Sequence, residues 1–131
     1  MTSATPFLMF AGEAQTAMDL YVSLLPDSRI VRADRYAAHD VGRAGTIKTA
    51  VFMLCGREFM CCDSPIQHAF SFTPANSIFV ECENAGQMDH AFGVLADGGH
   101  VLMPLNNYGF SQRFGWLSDR FGVSWQINLP G

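Results

Sequence analysis

Residues 6–31 read PFLMFAGEAQTAMDLYVSLLPDSRIV, and residues 77–102 read SIFVECENAGQMDHAFGVLADGGHVL. These two stretches decide the fold, because they are one plan written twice. In the first, Phe7-Leu8-Met9-Phe10 is a short apolar run closed by Ala11-Gly12, which suits a buried strand. Ala14, Ala17, Met18, Tyr21, Leu24 and Leu25 then recur at helical spacing, and Pro26-Asp27 stops the helix. In the second, Ile78-Phe79-Val80 is the strand. Met88, Ala91, Phe92 and Leu95 form the helical stripe, and Asp97-Gly98-Gly99 ends it. Aligned without a gap, Pro6 falls on Ser77, Ala17 on Met88, Tyr21 on Phe92 and Leu24 on Leu95. The strands that follow, Arg29-Ile30-Val31 and His100-Val101-Leu102, also match.

Working outward, each half closes with a turn glycine and a last strand. Gly56 precedes Arg57 to Cys62, and Gly122 precedes Val123 to Asn128. Between lie Ile47 to Leu54 in the first half and Phe114 to Ser118 in the second. Each half therefore reads β-α-β-β-β. A half of about 60 residues is small for a core of its own, so the two modules, 1–66 and 67–131, are expected to make one domain over 1–131. The strand at 47–54 is apolar on both faces, with Ile47, Val51 and Met53 on one and Ala50, Phe52 and Leu54 on the other. One face suits a helix, and the other must cover a cavity or a partner. The expected fold is α+β, two tandem βαβββ modules forming a curled mixed sheet with helices outside and a central cavity. A ferredoxin-like dimeric barrel and a plain two-layer sandwich are the alternatives.

Composition narrows the function. The net charge is −4 with no basic cluster, so the electrostatic footprint of a nucleic-acid binder is missing. No apolar run approaches the ~20 residues of a membrane span, and no basic stretch leads into an apolar one at the N-terminus. A cytoplasmic protein is expected. Cys55, Cys61, Cys62 and Cys82 form no CxxC pair, and adjacent Cys61 and Cys62 should point to opposite faces of a strand. They read as small apolar filler in a reducing compartment. Charged residues make up only 15% of the chain, and Phe110, Phe114, Trp116, Phe121 and Trp125 crowd one stretch. A monomer of this size is not expected to bury all five rings, so a homodimer is expected.

Two adjacent βαβββ modules are the plan of the vicinal-oxygen-chelate superfamily, which includes glyoxalase I, extradiol dioxygenases and bleomycin-binding proteins. Particular segments resemble its PhnB-like branch, whose members are described as 3-demethylubiquinone methyltransferase-like. They are Ala17 to Tyr21 before Leu25-Pro26-Asp27-Ser28, and His68 to Ala75. The most specific are Leu102-Met103-Pro104-Leu105, Asn107-Tyr108-Gly109-Phe110, Phe114-Gly115-Trp116 and Gly122 to Gln126. The resemblance covers nearly the whole chain. It implies four inward metal positions, near Pro6, Met60, Ser77 and Gln126. None of these is His, Asp or Glu, where hard or borderline divalent ions want such ligands. No GxGxG loop for adenosylmethionine occurs, and strands and helices do not alternate as a doubly wound sheet requires. No metal or other cofactor is expected.

Strand alternation gives the remaining candidates. Phe79 and Glu81 share a face, as do Glu58, Met60 and Cys62, and Ser124, Gln126 and Asn128. Glu81 is the first choice for an acid or base, since apolar walls raise a carboxyl pKa. Cys62 is a candidate thiol, and His68 a candidate base if the linker that holds it lines the cavity. Met60, Phe79, Asn107, Tyr108, Trp116 and Gln126 are candidate ligand contacts. His39-Asp40, His90 and His100 read as surface groups. This mix suits hydrogen bonding to a small organic ligand. Two functions stay open: metal-independent binding of such a ligand, or a small-molecule enzyme such as an isomerase, a lyase or one related to methyl transfer.

Overall fold

The computed structural model describes residues 1–131. By internal contacts the chain divides into two compact units, Met1–His68 and Ala69–Gly131. The first holds β1 (Phe7–Phe10), α1 (Ala14–Leu24), β2 (Arg29–Arg35), β3 (Ile47–Leu54) and β4 (Arg57–Asp63). The second holds β5 (Ser77–Glu81), α2 (Ala85–Ala96), β6 (His100–Asn106), β7 (Arg113–Ser118) and β8 (Ser124–Leu129). The α+β plan of two βαβββ modules is therefore present. Strand order is β1-β4-β3-β2 in one sheet and β5-β8-β7-β6 in the other. Each sheet is mixed, because β1 runs parallel to β4 and β5 parallel to β8, while the other pairs are antiparallel.

In the first unit α1 packs on β3, and its Ala14, Ala17, Met18 and Tyr21 are all buried. Alternation along β3 and β4 puts Ala50, Phe52 and Leu54 on the buried face with Cys61 and Asp63. Phe52 stacks on Phe59 across the register, centroids 5.6 Å apart. The two strands join through Cys55 (φ 50°) and Gly56 (φ 78°), a two-residue turn with both φ positive, whose twist matches the strands. No side chain caps α1 at Glu13. Asp63 takes that role from the end of β4. Its Oδ1 accepts from the amides of Gly12 (2.7 Å) and Ala14 (3.0 Å), and its Oδ2 from that of Ile47 (2.9 Å).

The second unit is built alike with different fastenings. Met88, Ala91 and Leu95 of α2 are buried, as are Leu117, Trp125 and Ile127 of the strands beneath. Gly115 sits where α2 crosses β7. A Cβ there would lie 2.5 Å from the Phe92 ring and 2.7 Å from Leu105, so a larger residue would force those two side chains to move. Asn84 caps α2 by accepting from the Gln87 amide, and the Gln87 side chain accepts from the Glu83 amide, both at 2.8 Å. Buried Asp119 accepts from the amides of Phe121 and Val123 and from Trp125 Nε1 (2.9, 3.0 and 2.9 Å).

The first-strand expectation shifts. The sheets pair Met60 with Phe7 and Gln126 with Phe79, so the ungapped repeat is one residue out of step in the first strands. The first-strand partners of Met60 and Gln126 are thus Phe7 and Phe79, one and two residues beyond the Pro6 and Ser77 near which the inward positions were expected. The aromatic crowd is, as expected, not buried in full. Trp125 and Phe114 are buried, Trp116 and Phe121 are half-buried, and Phe110 alone of the five is exposed. The fold absorbs them because β7 and β8 present rings to both faces of the sheet.

Candidate functional site

The helix-free face of the second sheet gathers four of the nine candidate residues, Phe79, Glu81, Trp116 and Gln126. Trp125, Ile127 and Leu129 are buried on the α2 side, so alternation sends Ser124, Gln126 and Asn128 to the other. Register extends each of these into a row. Ser124 stands beside Ser77 and Ser118, Gln126 beside Phe79 and Trp116, and Asn128 beside Glu81 and Phe114.

The first row fixes an indole. Trp116 Nε1 donates to Ser124 Oγ at 2.8 Å, and that hydroxyl bonds Ser77 Oγ at 2.7 Å. With Ser124 only 1% exposed, the Trp116 ring is held from below. The middle row grades from Phe79, 53% exposed, to the half-buried Gln126 and Trp116. The third row runs from exposed Glu81 to Asn128 and Phe114, each 6% exposed. Asn128 Nδ2 donates to Glu81 Oε1 at 3.4 Å. Asn128 Oδ1 is buried without a partner. Phe110 and Tyr108 meet the Phe114 ring edge-on, with centroids 5.1 and 6.2 Å away.

Asn107 and Tyr108 belong to the loop after β6, and both are committed to its shape. Asn107 Oδ1 accepts from the Gly109 amide at 2.8 Å, and Tyr108 OH donates to the Pro104 carbonyl at 2.6 Å. Tyr108 also stacks on Phe110 (6.5 Å). The pair therefore presents a preset aromatic edge beside Phe114.

The remaining candidates lie in the first unit. Met60 stands between Phe7 and Val51 on the helix-free face of its sheet, and Cys62 beside Met9. Cys62 is half-buried, and its thiol is pushed up by burial and then by the Asp63 charge. Cys61 points the other way, fully buried. Burial, then Asp63, then Cys62 push its thiol up to about 12. His68 Nε2 lies 2.9 Å from Ser64 Oγ, while that hydroxyl donates to the Ile66 carbonyl. The contact joins His68 to the turn that Ser64 makes with Ile66, and either partner can be its donor, depending on the imidazole tautomer. His39 and Asp40 form a surface loop in which Asp40 accepts from the Ala37 amide at 2.7 Å and meets Lys48 at 3.8 Å. His90 and His100 are exposed.

The reading from sequence missed the third row's chemistry. It placed Asn128 on the correct face, but an acceptor left without a donor depends on side-chain geometry that alternation does not carry. Asp63 and Asp119 were missed too. The one available signal was a lone carboxylate ending or preceding a buried strand, and such carboxylates are seldom buried unpaired.

Comparison with known proteins places the chain. Residues 2–128 match the family model described as 3-demethylubiquinone-9 3-methyltransferase. The PhnB protein of Bacillus cereus is 49% identical, with a TM-score of 0.95 over 98% of this chain and 99% of that one. A Pseudomonas aeruginosa protein shares the fold at 24% identity, TM-score 0.84, over 99% and 98% of the two chains. FosX, a fosfomycin resistance protein of Listeria monocytogenes, shares it at 10% identity, TM-score 0.65, over 100% and 94%. No curated protein matches. At the four positions where the superfamily resemblance implies metal ligands, the sheets present Phe7, Met60, Phe79 and Gln126. Two rings, a thioether and an amide do not fit a hard or borderline divalent cation. Neither unit gathers three His, Cys, Asp or Glu side chains that could hold one elsewhere.

Proposed function

We propose that this chain, which belongs to the PhnB-like family described as 3-demethylubiquinone-9 3-methyltransferase, binds a small organic molecule on the helix-free face of its second sheet, without a metal. The observation that carries this reading is the middle row. Phe79, Gln126 and Trp116 sit side by side in register, a partly exposed amide between two rings, with the indole fixed by Ser124. Flat apolar walls with a few fixed polar groups are what small-ligand sites are made of. The Asn107-Tyr108 edge is a secondary contact in this reading, and Met60 holds the place equivalent to Gln126 in the first unit.

An enzymatic reading has less support. Cys62 carries a thiol raised above its ordinary range, which lowers its thiolate fraction. His68 is engaged with Ser64, and Glu81 is exposed. Binding is tested with the two tryptophans. Trp125 is fully buried, so a ligand on this face should quench Trp116 emission, and Trp116→Phe should abolish the response. A screen of small aromatic and aliphatic compounds in which no compound changes emission, or in which Trp116→Phe responds as the parent does, would refute the site. Addition of EDTA should leave any affinity unchanged.

The homodimer is likewise a proposal. Its support is the exposed apolar set that the fold leaves, including Ile66, Phe70 and Phe110 at 65%, 65% and 64%. Light scattering at micromolar concentration should return twice the chain mass. A cytoplasmic location is proposed from four unbridged cysteines. No helix is long and apolar enough to cross a membrane.

A further inference from the structure

We propose that the molecule bound on the second sheet is selected by a neutral hydrogen-bond acceptor on a flat ring, a carbonyl oxygen, which it presents to the hydroxyl of Ser77. This deepens the small-molecule reading above and rests on it. Ser124 is 1% exposed, and its Oγ has two partners, Trp116 Nε1 at 2.8 Å and Ser77 Oγ at 2.7 Å. An indole N–H can only donate. The buried Ser124 hydroxyl has no further partner, so its proton goes to Ser77 Oγ. That fixes the direction of the whole chain: Trp116 N–H to Ser124, then Ser124 O–H to Ser77. The proton of Ser77 is left over, and no acceptor within the chain takes it. Ser77 is half-buried at the start of β5, on the same face as exposed Phe79. Its hydroxyl is therefore a donor that the fold supplies and does not use.

The chain also strengthens that donor. A hydroxyl that accepts a hydrogen bond donates better, and successive bonds polarise one another. Trp116 is thus both a wall of the site and the origin of the polarisation. Gln126 stands in the next row, a diagonal neighbour of Ser77 across β5 and β8. Its side-chain amide has no partner in the chain, and Asn128 Oδ1 is the only polar side-chain atom buried without one, so the Gln126 amide stays reachable from outside. A carbonyl oxygen has two lone pairs and can accept from Ser77 and from Gln126 Nε2 together. The ring that bears it then lies against Phe79 and the Trp116 indole. A cation brings Ser77 no lone pair, and a hydrocarbon strips the polarised hydroxyl of water without replacing it. Glu81, exposed on the same face of β5, repels an anion.

The test uses four probes built on one phenyl ring: acetophenone, ethylbenzene, 1-phenylethylammonium and benzoate. The first three carry on the same carbon a carbonyl oxygen, hydrogens only, and a protonated amine. Each is titrated at matched concentrations near neutral pH into 15N-labelled full-length protein, following backbone amides, Trp116 Nε1–H and the Gln126 side-chain amide. Acetophenone should bind about fivefold more tightly than ethylbenzene, the worth of one hydrogen bond. Both charged probes should bind more weakly than acetophenone. Acetophenone should also move the Trp116 Nε1–H resonance further downfield than ethylbenzene does, since both rings exert the same ring current and only one draws on the hydroxyl chain. Ser77→Ala should lower acetophenone affinity about fivefold while sparing ethylbenzene, and Ser77→Thr, which keeps a hydroxyl, should retain the preference. Equal binding of acetophenone and ethylbenzene by the parent protein, with shifts on this face, would overturn the carbonyl inference and leave the small-molecule reading standing. So would tighter binding of benzoate or 1-phenylethylammonium, or indifference of acetophenone to Ser77→Ala in a variant that keeps the parental spectrum. If Ser77→Ala does not fold, the parent comparison and the Trp116 resonance decide. Shifts on this face from none of the four probes would overturn both.

Discussion

Removing the Asp63 carboxylate should unfasten the first unit. The side chain is 2% exposed, and its two oxygens accept three backbone amides. These come from three separate places: the turn before α1, the first residue of α1, and the start of β3. In Asp63→Ala all three donors lose their acceptor. The bonds to Ala14 and Ile47 are buried, so their amides keep no access to water, whereas that to Gly12 is only partly buried. At ~1–3 kcal/mol for each stranded buried group, the cost centres on about 4 kcal/mol. Asp63→Asn separates the contributions. Its Oδ1 can still serve Gly12 and Ala14, but its NH₂ must face the Ile47 N–H, donor against donor. Loss of one charge-assisted bond sets that cost at about 2–3 kcal/mol. For a chain of this length 1 kcal/mol corresponds to roughly 3–5 °C in Tm, so Asp63→Ala should melt about 12–20 °C lower. Urea unfolding monitored by far-UV circular dichroism gives the free energies directly. Asp34→Ala, at an exposed ion pair with Arg32, should stay within about 1 kcal/mol of the parent. The reasoning fails if Asp63→Ala keeps the parental midpoint, or if Asn proves as costly as Ala.

Gly115→Ala should cost about 1–3 kcal/mol, because its methyl would press on Phe92 and Leu105. Adding Phe92→Leu should cost less than the two single changes summed, since the smaller side chain clears the overlap; additive costs would count against the packing account. Alkylation near neutral pH, read by peptide mass, should modify exposed Cys55 first, half-buried Cys62 more slowly and Cys61 last. Modification of Cys61 ahead of Cys62 would reverse the assigned strand faces. The Cys61 thiol, raised from 9.0 to about 12, also ties stability to pH. Between those values the unfolded chain ionises while the folded one keeps its proton, so stability should be flat below about pH 9 and fall as pH rises toward 12. Burial raises Tyr36 as well, which acts in the same direction. Cys61→Ala should flatten part of that slope in urea midpoints taken at successive alkaline pH values.

Much of the fold was legible because it rests on periodicity, and periodicity survives in sequence. The helical stripe Ala14, Ala17, Met18, Tyr21 is buried as spaced, and so is Met88, Ala91, Leu95. The opposite orientations of Cys61 and Cys62, and the shared face of Ser124, Gln126 and Asn128, follow from a period of two that sheets obey. The first-strand register was not legible. It depends on where a parallel strand lands on its neighbour, and no turn connects β1 to β4 or β5 to β8 to fix that by length. An ungapped repeat aligned through the helices therefore carries its phase into strands that need not share it.

For the candidate site, what the sequence could place was strand faces, and the reason differs from residue to residue. Phe79, Trp116 and Gln126 could be placed because each obeys alternation in a strand whose buried face is unmistakable. Asn107 and Tyr108 drew notice as polar and aromatic groups in a loop, and the structure engages the Asn107 Oδ1 with the Gly109 amide and the Tyr108 hydroxyl proton with the Pro104 carbonyl. His68 drew notice as a possible base, and its nearest polar partner, Ser64, is a local turn contact that residue type alone does not reveal. Asn128 is the reverse case. Nothing in the residue type distinguishes it from Ser124 or Gln126 along the same strand. Its importance lies in a negative charge on the neighbouring strand that orients its amide, and in the burial that then isolates the far oxygen. Two side chains 47 positions apart in sequence, each ordinary alone, thus form a pair that only the register of β5 on β8 brings together.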